Sequence, residues 1–498
     1  MKAAGALRAT AWVVGVFAVV WLTTIVAWRA LGSDPTAMHL VGFLLVLPLA
    51  VLSGIWLLRR RRRGPQAVAA TGPGVPVDVP AVPSPLSPLR LCASALWLRA
   101  GSSPAEVANA LVRPERPPLH GHLRDQAGLP VFAAAVDGVD PESMRSVLKA
   151  VVAEDADRCF DEERLRAMVL LDPVAEDLLF AAAATLAPAA ANDPVPGADR
   201  GLHPHAMHHS RSSRAAPHVL DAPTLRVRLL VAHDWPGAAR DVAAAWLMAK
   251  ATAVGLAAGS FTVEVSSAEG AFDAWTLMAR LMDPQGQAAP GEHHLVLATH
   301  SAIGAGAIAR LDGQRELLVS GHPEGRIPGE GAAGVLLTEQ QAMNHAPVDA
   351  MPIQLSGLRQ GPAGQGRGAG RLLGELLVDA MAAAGTTTEA IRLVLTDADH
   401  RPSRAIEVAG AMTAALPGLD ALEDSFHLGV VCGDLGPAGP LALLAVAASR
   451  AIDDGPVLVA SVADPRRRTV LAVSPGPAAV DSIKPLPTDA AVPETAAA

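Results

Sequence analysis

The chain has 498 residues, half of which are hydrophobic, and a formal net charge of −9 at pH 7. This length exceeds that of one ordinary domain, and the apolar content is ample for a large core. An acidic chain with eight Phe, eight Trp and no Tyr is poorly suited to phosphate backbones or base stacking, so no nucleic-acid partner is expected.

The amino-terminal 63 residues predict a membrane anchor. Two apolar runs, residues 11–28 and 40–58, are separated by a short connection, and five arginines follow the second run at positions 59–63. Each run is about long enough to cross a bilayer as a helix, and an arginine block marks the cytoplasmic side. We therefore predict a two-helix transmembrane hairpin that leaves the rest of the chain in the cytoplasm. The alternative is a signal peptide followed by a buried helix, but no A-x-A-like cleavage site follows the first run.

Residues 64–88 contain seven prolines, which is typical of a semi-extended tether. From residue 89 onward, short apolar runs alternate with helical patterns, and this alternation favours an α/β fold. We expect a first α/β half in residues 89–345, a second half in residues 346–484 and a disordered tail in residues 485–498. The predicted strands and helices are listed here by residue number: strands 89–97, 129–135, 225–233, 294–298, 391–396, 427–432, 457–462 and 469–473; helices 236–251, 268–282, 371–384, 403–416 and 441–450.

Cysteine and histidine usage predicts neither a metal nor a cofactor. Cys92, Cys159 and Cys432 show no C-x-x-C spacing, so we expect free thiols in a reducing compartment. Residues 193–218 are rich in histidine and are interpreted as a solvated loop. Metal binding is the alternative there, but no carboxylate or cysteine lies at a helical offset such as H-E-x-x-H.

Several segments resemble enzymes of the thiolase fold, in particular β-ketoacyl synthases. Residues 328–337 (PGEGAAGVLL) resemble a conserved strand start of these synthases, and residues 431–439 (VCGDLGPAG) resemble their glycine-rich histidine loop. Residues 456–473 are similar to their closing strand pair. Residues 267–274 (SAEGAFDA) and 294–301 (HLVLATHS) resemble the helix that carries the nucleophile and the strand after it. The resemblance implies a thiolase-like layered α/β fold of a degenerate β-ketoacyl synthase type, preceded by the two-helix hairpin.

The reactive groups of that family are missing at the positions that match. The synthases need a cysteine at the start of a buried helix, two neutral histidines and backbone N–H groups for the oxyanion. Ser267, with Ser266 as the alternative, matches the nucleophile, while Asp434 and Asp397 match the histidines. A carboxylate would repel the developing negative charge, and a serine without a base does not ionise. We therefore interpret the three residues as vestigial and the chain as a non-catalytic protein. His300 ends a strand that would face this region, which makes a ligand contact an alternative to a purely structural role.

The overall plan resembles a family of Gram-negative adaptor proteins that are encoded with type VI secretion spike genes and recruit a lipase effector. That resemblance implies an anchor in the bacterial inner membrane and a protein partner, namely a lipase effector, a secretion spike protein or both. The resembled fold commonly dimerises, so a homodimer is a further expectation. Two alternatives stay open: an acyl-thioester-using transferase with Ser267 as nucleophile, and an inactive partner subunit of a ketosynthase.

Overall fold

The computed structural model describes Trp21 and residues 86–152, 159–186, 225–283, 292–339, 350–361 and 370–476. Apart from Trp21, these residues belong to one compact unit that begins at Pro83. The predicted hairpin apart from Trp21, residues 64–85 of the predicted tether, the histidine-rich loop and the predicted tail lie outside the described residues. Within those ranges, no helix is both long enough and apolar enough to cross a membrane.

The described strands and helices alternate through most of the unit. The strands are β1 (Leu89–Leu98), β2 (Leu119–Arg124), β3 (Pro130–Phe132), β4 (Leu225–Ala232), β5 (Phe261–Ala268), β6 (His293–Ser301), β7 (Glu330–Glu339), β8 (Met351–Gln360), β9 (Leu393–Thr396), β10 (Ser425–His427), β11 (Val457–Ser461) and β12 (Arg467–Val473). The helices are α1 (Pro104–Val112), α2 (Pro141–Val152), α3 (Glu162–Leu186), α4 (Gly237–Ala253), α5 (Ala271–Leu281), α6 (Ala305–Gly313), α7 (Arg371–Ala384), α8 (Pro402–Ala415), α9 (Leu428–Cys432) and α10 (Ala438–Asp454).

Ten of the described strands form one sheet, and its two halves repeat the same arrangement. The order is β10-β9-β11-β12-β8-β1-β7-β6-β4-β5. In the first half of the chain, β5, β4 and β6 are parallel neighbours, and β7 and β1 follow in antiparallel pairing. In the second half, β10, β9 and β11 are parallel, and β12 and β8 follow in antiparallel pairing. A short antiparallel pairing of β1 with β8 joins the halves. The topology is therefore that of an internal duplication.

The central layer of the fold is helical. Helix α10 packs against β7, β1 and β6 of one half-sheet, against β11, β12 and β9 of the other, and against α5. Its sequence is apolar on almost every side, as expected of a helix buried all round. On the outer faces, α3 covers β7, β6 and β1, while α7 covers β12, β8 and β11. The layers therefore follow one another as outer helices, one half-sheet, central helices, the other half-sheet and outer helices. This confirms the predicted layered α/β arrangement.

Three details of the predicted elements are wrong. Residues 428–432 form the short helix α9 instead of a strand, because β10 pairs with β9 over three residues only and the chain then turns at Gly433 (φ +65°). The run 129–135 contributes only β3, which pairs with β2 outside the main sheet. Helix α5 starts at Ala271 instead of residue 268, since β5 extends to Ala268 and Gly270 is the N-cap.

Candidate functional site

A cavity of about 460 Å³ lies where the carboxyl ends of several strands meet the amino-terminal ends of the central helices α5 and α10. Both halves of the unit contribute to its wall. The charged and imidazole side chains that line it are His233, Asp234, Glu269, His300, Arg310, Glu316, Arg326, Asp397, Asp399, Arg401, Asp434, Asp464 and Arg467. Ligands commonly bind at such an edge of an α/β sheet, so this cavity is the candidate site.

Asp434, on the loop between α9 and α10, is held in an ion pair. Its Oδ2 accepts a hydrogen bond from Arg326 Nη1 at 2.9 Å, and its Oδ1 accepts one from the Gly436 N–H at 3.0 Å. Burial by itself would raise the pKa of Asp434, but the charge of Arg326, with smaller contributions from His300 and the Gly436 N–H, lowers the pKa to about 2. Asp434 is therefore an ionised carboxylate that is paired with Arg326.

His300, at the end of β6, brings a neutral imidazole to the cavity. Burial is the largest cause that lowers its pKa, so the ring is uncharged at pH 7. Its Nδ1 is buried and has no hydrogen-bond partner among the described residues. The ring lies against Gly436, whose φ is +51°, and a Cβ at Gly436 would come within 2.9 Å of the ring. A glycine is therefore required at this position both by the backbone conformation and by the approach of the imidazole.

Asp397, which follows β9, is saturated by hydrogen bonds. Its Oδ2 accepts from Ser461 Oγ at 2.6 Å, and its Oδ1 accepts from the N–H groups of Val462 and Ala463 at 2.5 and 2.9 Å. Burial raises the pKa of Asp397, while these donors act in the opposite direction. The Asp397 carboxylate therefore connects the end of β9 to the end of β11 through hydrogen bonds.

Ser267 lies in β5 and its side chain is exposed. The prediction that Ser267 lies at the start of a buried helix is therefore wrong. The cavity is lined instead by residues 268–272, which read Ala-Glu-Gly-Ala-Phe and contain neither a hydroxyl nor a thiol. No described residue hydrogen-bonds to the Ser267 hydroxyl. The three residues that the sequence singled out thus lie toward one end of the unit, but only Asp397 and Asp434 line the cavity.

Two of the three cysteines are not activated for nucleophilic attack. All three are free thiols. Cys432, one residue before the loop glycine Gly433, is fully buried, and burial raises its pKa to about 12. Burial also raises the pKa of Cys92, to about 11. Thiols of such high pKa do not form thiolates at neutral pH, so neither is activated for attack.

Sequence reasoning missed the arginines of the cavity. Arg326 pairs with Asp434, Arg401 Nε lies 2.8 Å from Asp399 Oδ1, and Arg467 Nη2 lies 2.9 Å from Asp464 Oδ2. The Arg467 guanidinium also lies over the Phe272 ring, 4.4 Å from its centroid. One signal was available for Arg326, which stands two residues before the PGEGA motif. The described lining of the cavity can hold a polar ligand, and it contains no serine, threonine or cysteine.

Comparisons with family models and with curated proteins give no match. Among solved structures, the chain is similar to the ishigamide ketosynthase/chain length factor, with 13% identity and a TM-score of 0.47 over 78% of this chain and 99% of that chain. It is similar to the ketosynthase from module 6 of the bacillaene synthase of Bacillus subtilis, with 11% identity and a TM-score of 0.49 over 78% of this chain and 72% of that chain. A β-ketoacyl synthase from Burkholderia phymatum matches with 11% identity and a TM-score of 0.45 over 78% of this chain and 100% of that chain. Similarity at this level does not extend to activity.

Proposed function

We propose that this chain is a non-catalytic protein on a ketosynthase-like, thiolase-type scaffold and that it acts by binding. The observation that carries the proposal is the start of the central helix α5. Residues 268–272 line the cavity there without a hydroxyl or a thiol, at the place where a ketosynthase would need its nucleophile.

The two motifs that suggested the scaffold also touch each other. Pro328 of the PGEGA segment forms a β-bridge with Asp434 of the CGDLGPAG segment. The Asp434 N–H donates to the Ile327 carbonyl at 2.9 Å, and the Ala134 N–H donates to the Pro328 carbonyl at 2.8 Å. These contacts, together with the duplicated strand order, support a retained scaffold whose former reactive positions have acquired structural roles.

The proposal has two more specific forms. The first is a membrane-anchored adaptor that recruits a lipase effector to a type VI secretion spike. It is supported by the sequence of residues 1–88, which contains two apolar runs, an arginine block and a proline-rich tether. The second is an inactive partner subunit of a ketosynthase, which is supported by the cavity that persists between the two halves. Both forms predict capture of a protein without turnover.

Thioester consumption tests the shared claim. The full chain is incubated with acyl- and malonyl-thioesters, and the released thiol is followed for the wild type and for Ser267→Ala. We expect background release from both proteins, since no described residue hydrogen-bonds to the Ser267 hydroxyl. Release that depends on Ser267 would instead establish the acyl-transfer alternative.

Affinity capture separates the two forms. The full chain, solubilised from membranes, is used as bait, and wild type is compared with Ser267→Ala. Recovery of a lipase or a secretion spike protein by both baits supports the adaptor. Recovery of a ketosynthase or of acyl-carrier protein alone contradicts the adaptor and supports the partner subunit.

A further inference from the structure

The wall of the cavity carries more carboxylates than guanidiniums. Apart from Asp397, which is saturated by hydrogen bonds, six carboxylates and four guanidiniums line it. Among these described lining residues, no guanidinium is left without a counter-ion to attract an anionic ligand, so the excess charge favours a cation. The ion pairs are Arg310 with Asp234 at 3.2 Å, Arg326 with Asp434 at 2.9 Å, Arg401 with Asp399 at 2.7 Å and Arg467 with Asp464 at 2.9 Å.

Three neighbouring strands bring polar side chains to one side of the cavity. Strands β5, β4 and β6 are parallel and adjacent in that order, so their carboxyl ends lie at the same edge of the sheet. Glu269 directly follows β5, Asp234 lies two residues beyond β4, and His300 is the last residue but one of β6. Adjacent strands lie about 4.8 Å apart. The three residues, which all line the cavity, therefore share one part of its wall.

His300 offers a ligand a neutral hydrogen-bonding group. Its Nδ1 lies against Gly436 and is buried. Its Nε2 has no hydrogen-bond partner among the described residues either, but this atom is not buried, so it is the ring nitrogen that a ligand can reach. Burial, as the largest cause, lowers the pKa of His300, although the charges of Asp434 and Asp234 act in the opposite direction. The imidazole therefore stays uncharged beside two carboxylates, and in the tautomer protonated at Nδ1 its Nε2 is an acceptor.

Glu269 adds a carboxylate that no arginine neutralises. Its backbone N–H donates to Asp273 Oδ2 at 2.6 Å, but its side chain has neither a hydrogen bond nor an ion pair among the described residues. An ammonium group has N–H donors, no acceptor and one positive charge. Such a group therefore complements an accessible imidazole acceptor that lies beside an unpaired carboxylate.

We propose that the cavity binds a small organic ammonium ion, which donates a hydrogen bond to His300 Nε2 and whose charge is balanced by Glu269. The cavity volume of about 460 Å³ is in the range of small-molecule sites. This inference rests on the proposed binding function and names the chemical class of the ligand that the cavity takes.

Isothermal titration calorimetry of the full chain tests the site in an amine-free buffer at constant ionic strength. The probes are butylammonium, butyrate and butanol, which share one carbon chain and differ in charge. We expect saturable binding of butylammonium to the wild type and none of the other two probes. The Kd should rise about tenfold in His300→Phe, because a hydrogen bond from a charged donor is lost. In Glu269→Gln it should rise about threefold, because one attractive charge near solvent is removed.

Glu423→Gln is the matched control for the loss of charge. Glu423 is exposed and lies outside the cavity lining, so this variant should bind butylammonium as the wild type does. Glu269→Gln covers the case in which His300→Phe does not fold, since Glu269 is exposed and its side chain has no partner to lose.

Three results would overturn the inference: no saturable binding of butylammonium to the wild type, equally tight binding of butyrate or butanol, or an unchanged Kd in Glu269→Gln. Each of these results leaves the thioester test of the proposed function unaffected, because that test measures thiol release without any amine.

Discussion

Arg326 and Asp434 join the two halves of the duplicated sheet, with 2.9 Å between Arg326 Nη1 and Asp434 Oδ2. Arg326 precedes β7 of the first half, and Asp434 precedes α10 of the second. Beside this pair, the Asp434 N–H donates to the Ile327 carbonyl. The two residues therefore hold the two sides of the cavity wall together.

The Arg326–Asp434 pair predicts a defined pH dependence of stability. The pKa of Asp434 falls from its ordinary value of 3.8 to about 2 in the folded chain. A carboxyl whose pKa is lower when folded stabilises the fold above its unfolded pKa and loses this contribution as the pH falls toward the folded value. We expect Asp434→Asn to lower the free energy of unfolding at pH 7 by about 1 kcal/mol, because the pair is partly exposed to solvent. The difference from wild type should shrink between pH 4 and pH 2.

Denaturant unfolding at a series of pH values measures this difference. Arg326→Met serves as the control, since it removes the partner and should reproduce the loss at pH 7. A difference between Asp434→Asn and wild type that stays constant down to pH 2 would show that the ion pair does not cause the stabilisation.

Asp397 is predicted to matter for stability. In Asp397→Ala, the partly buried N–H groups of Val462 and Ala463 and the hydroxyl of Ser461 lose their acceptor. Unsatisfied buried donors are costly, so we expect a loss of about 2–4 kcal/mol in the free energy of unfolding. Ser461→Ala removes one bond only and should cost about 1 kcal/mol. Equal and small losses in the two variants, measured by urea unfolding, would contradict this structural role.

The position of β5 at one end of the described strand order predicts self-association. Among the described strands, β5 pairs with β4 alone, and it is eight residues long, whereas β10 at the opposite edge has three. A long edge strand with a single charged residue is a template for pairing with another strand. We expect a homodimer formed by β5 of two chains, and Val263→Lys together with Val265→Lys should shift it to monomer in light-scattering measurements. Val378→Lys, at a half-exposed position on α7, should leave the dimer intact.

Local sequence patterns were sufficient for the α/β class and for several strands and helices, but strands such as β5 and β8 and helices such as α3 were not predicted. The predicted helix 371–384 agrees with α7, because its apolar periodicity is regular and Gly385 ends it in a left-handed conformation. The placement of Ser267 failed by a few residues, since nothing local shows that β5 continues to Ala268 before Gly270 caps the helix. The pairing of Arg326 with Asp434 spans 108 positions. A contact of that kind depends on tertiary packing and has no local signature.

Covalent acylation is the most direct test of a scaffold without catalysis. The full chain is incubated with an excess of an acyl-thioester, its intact mass is measured, and any adduct is located by peptide mapping. The account predicts an unchanged mass, because the start of α5 carries no nucleophile and the buried thiol of Cys432 has a pKa of about 12. A single acyl adduct on Ser267 that is absent from Ser267→Ala would contradict it.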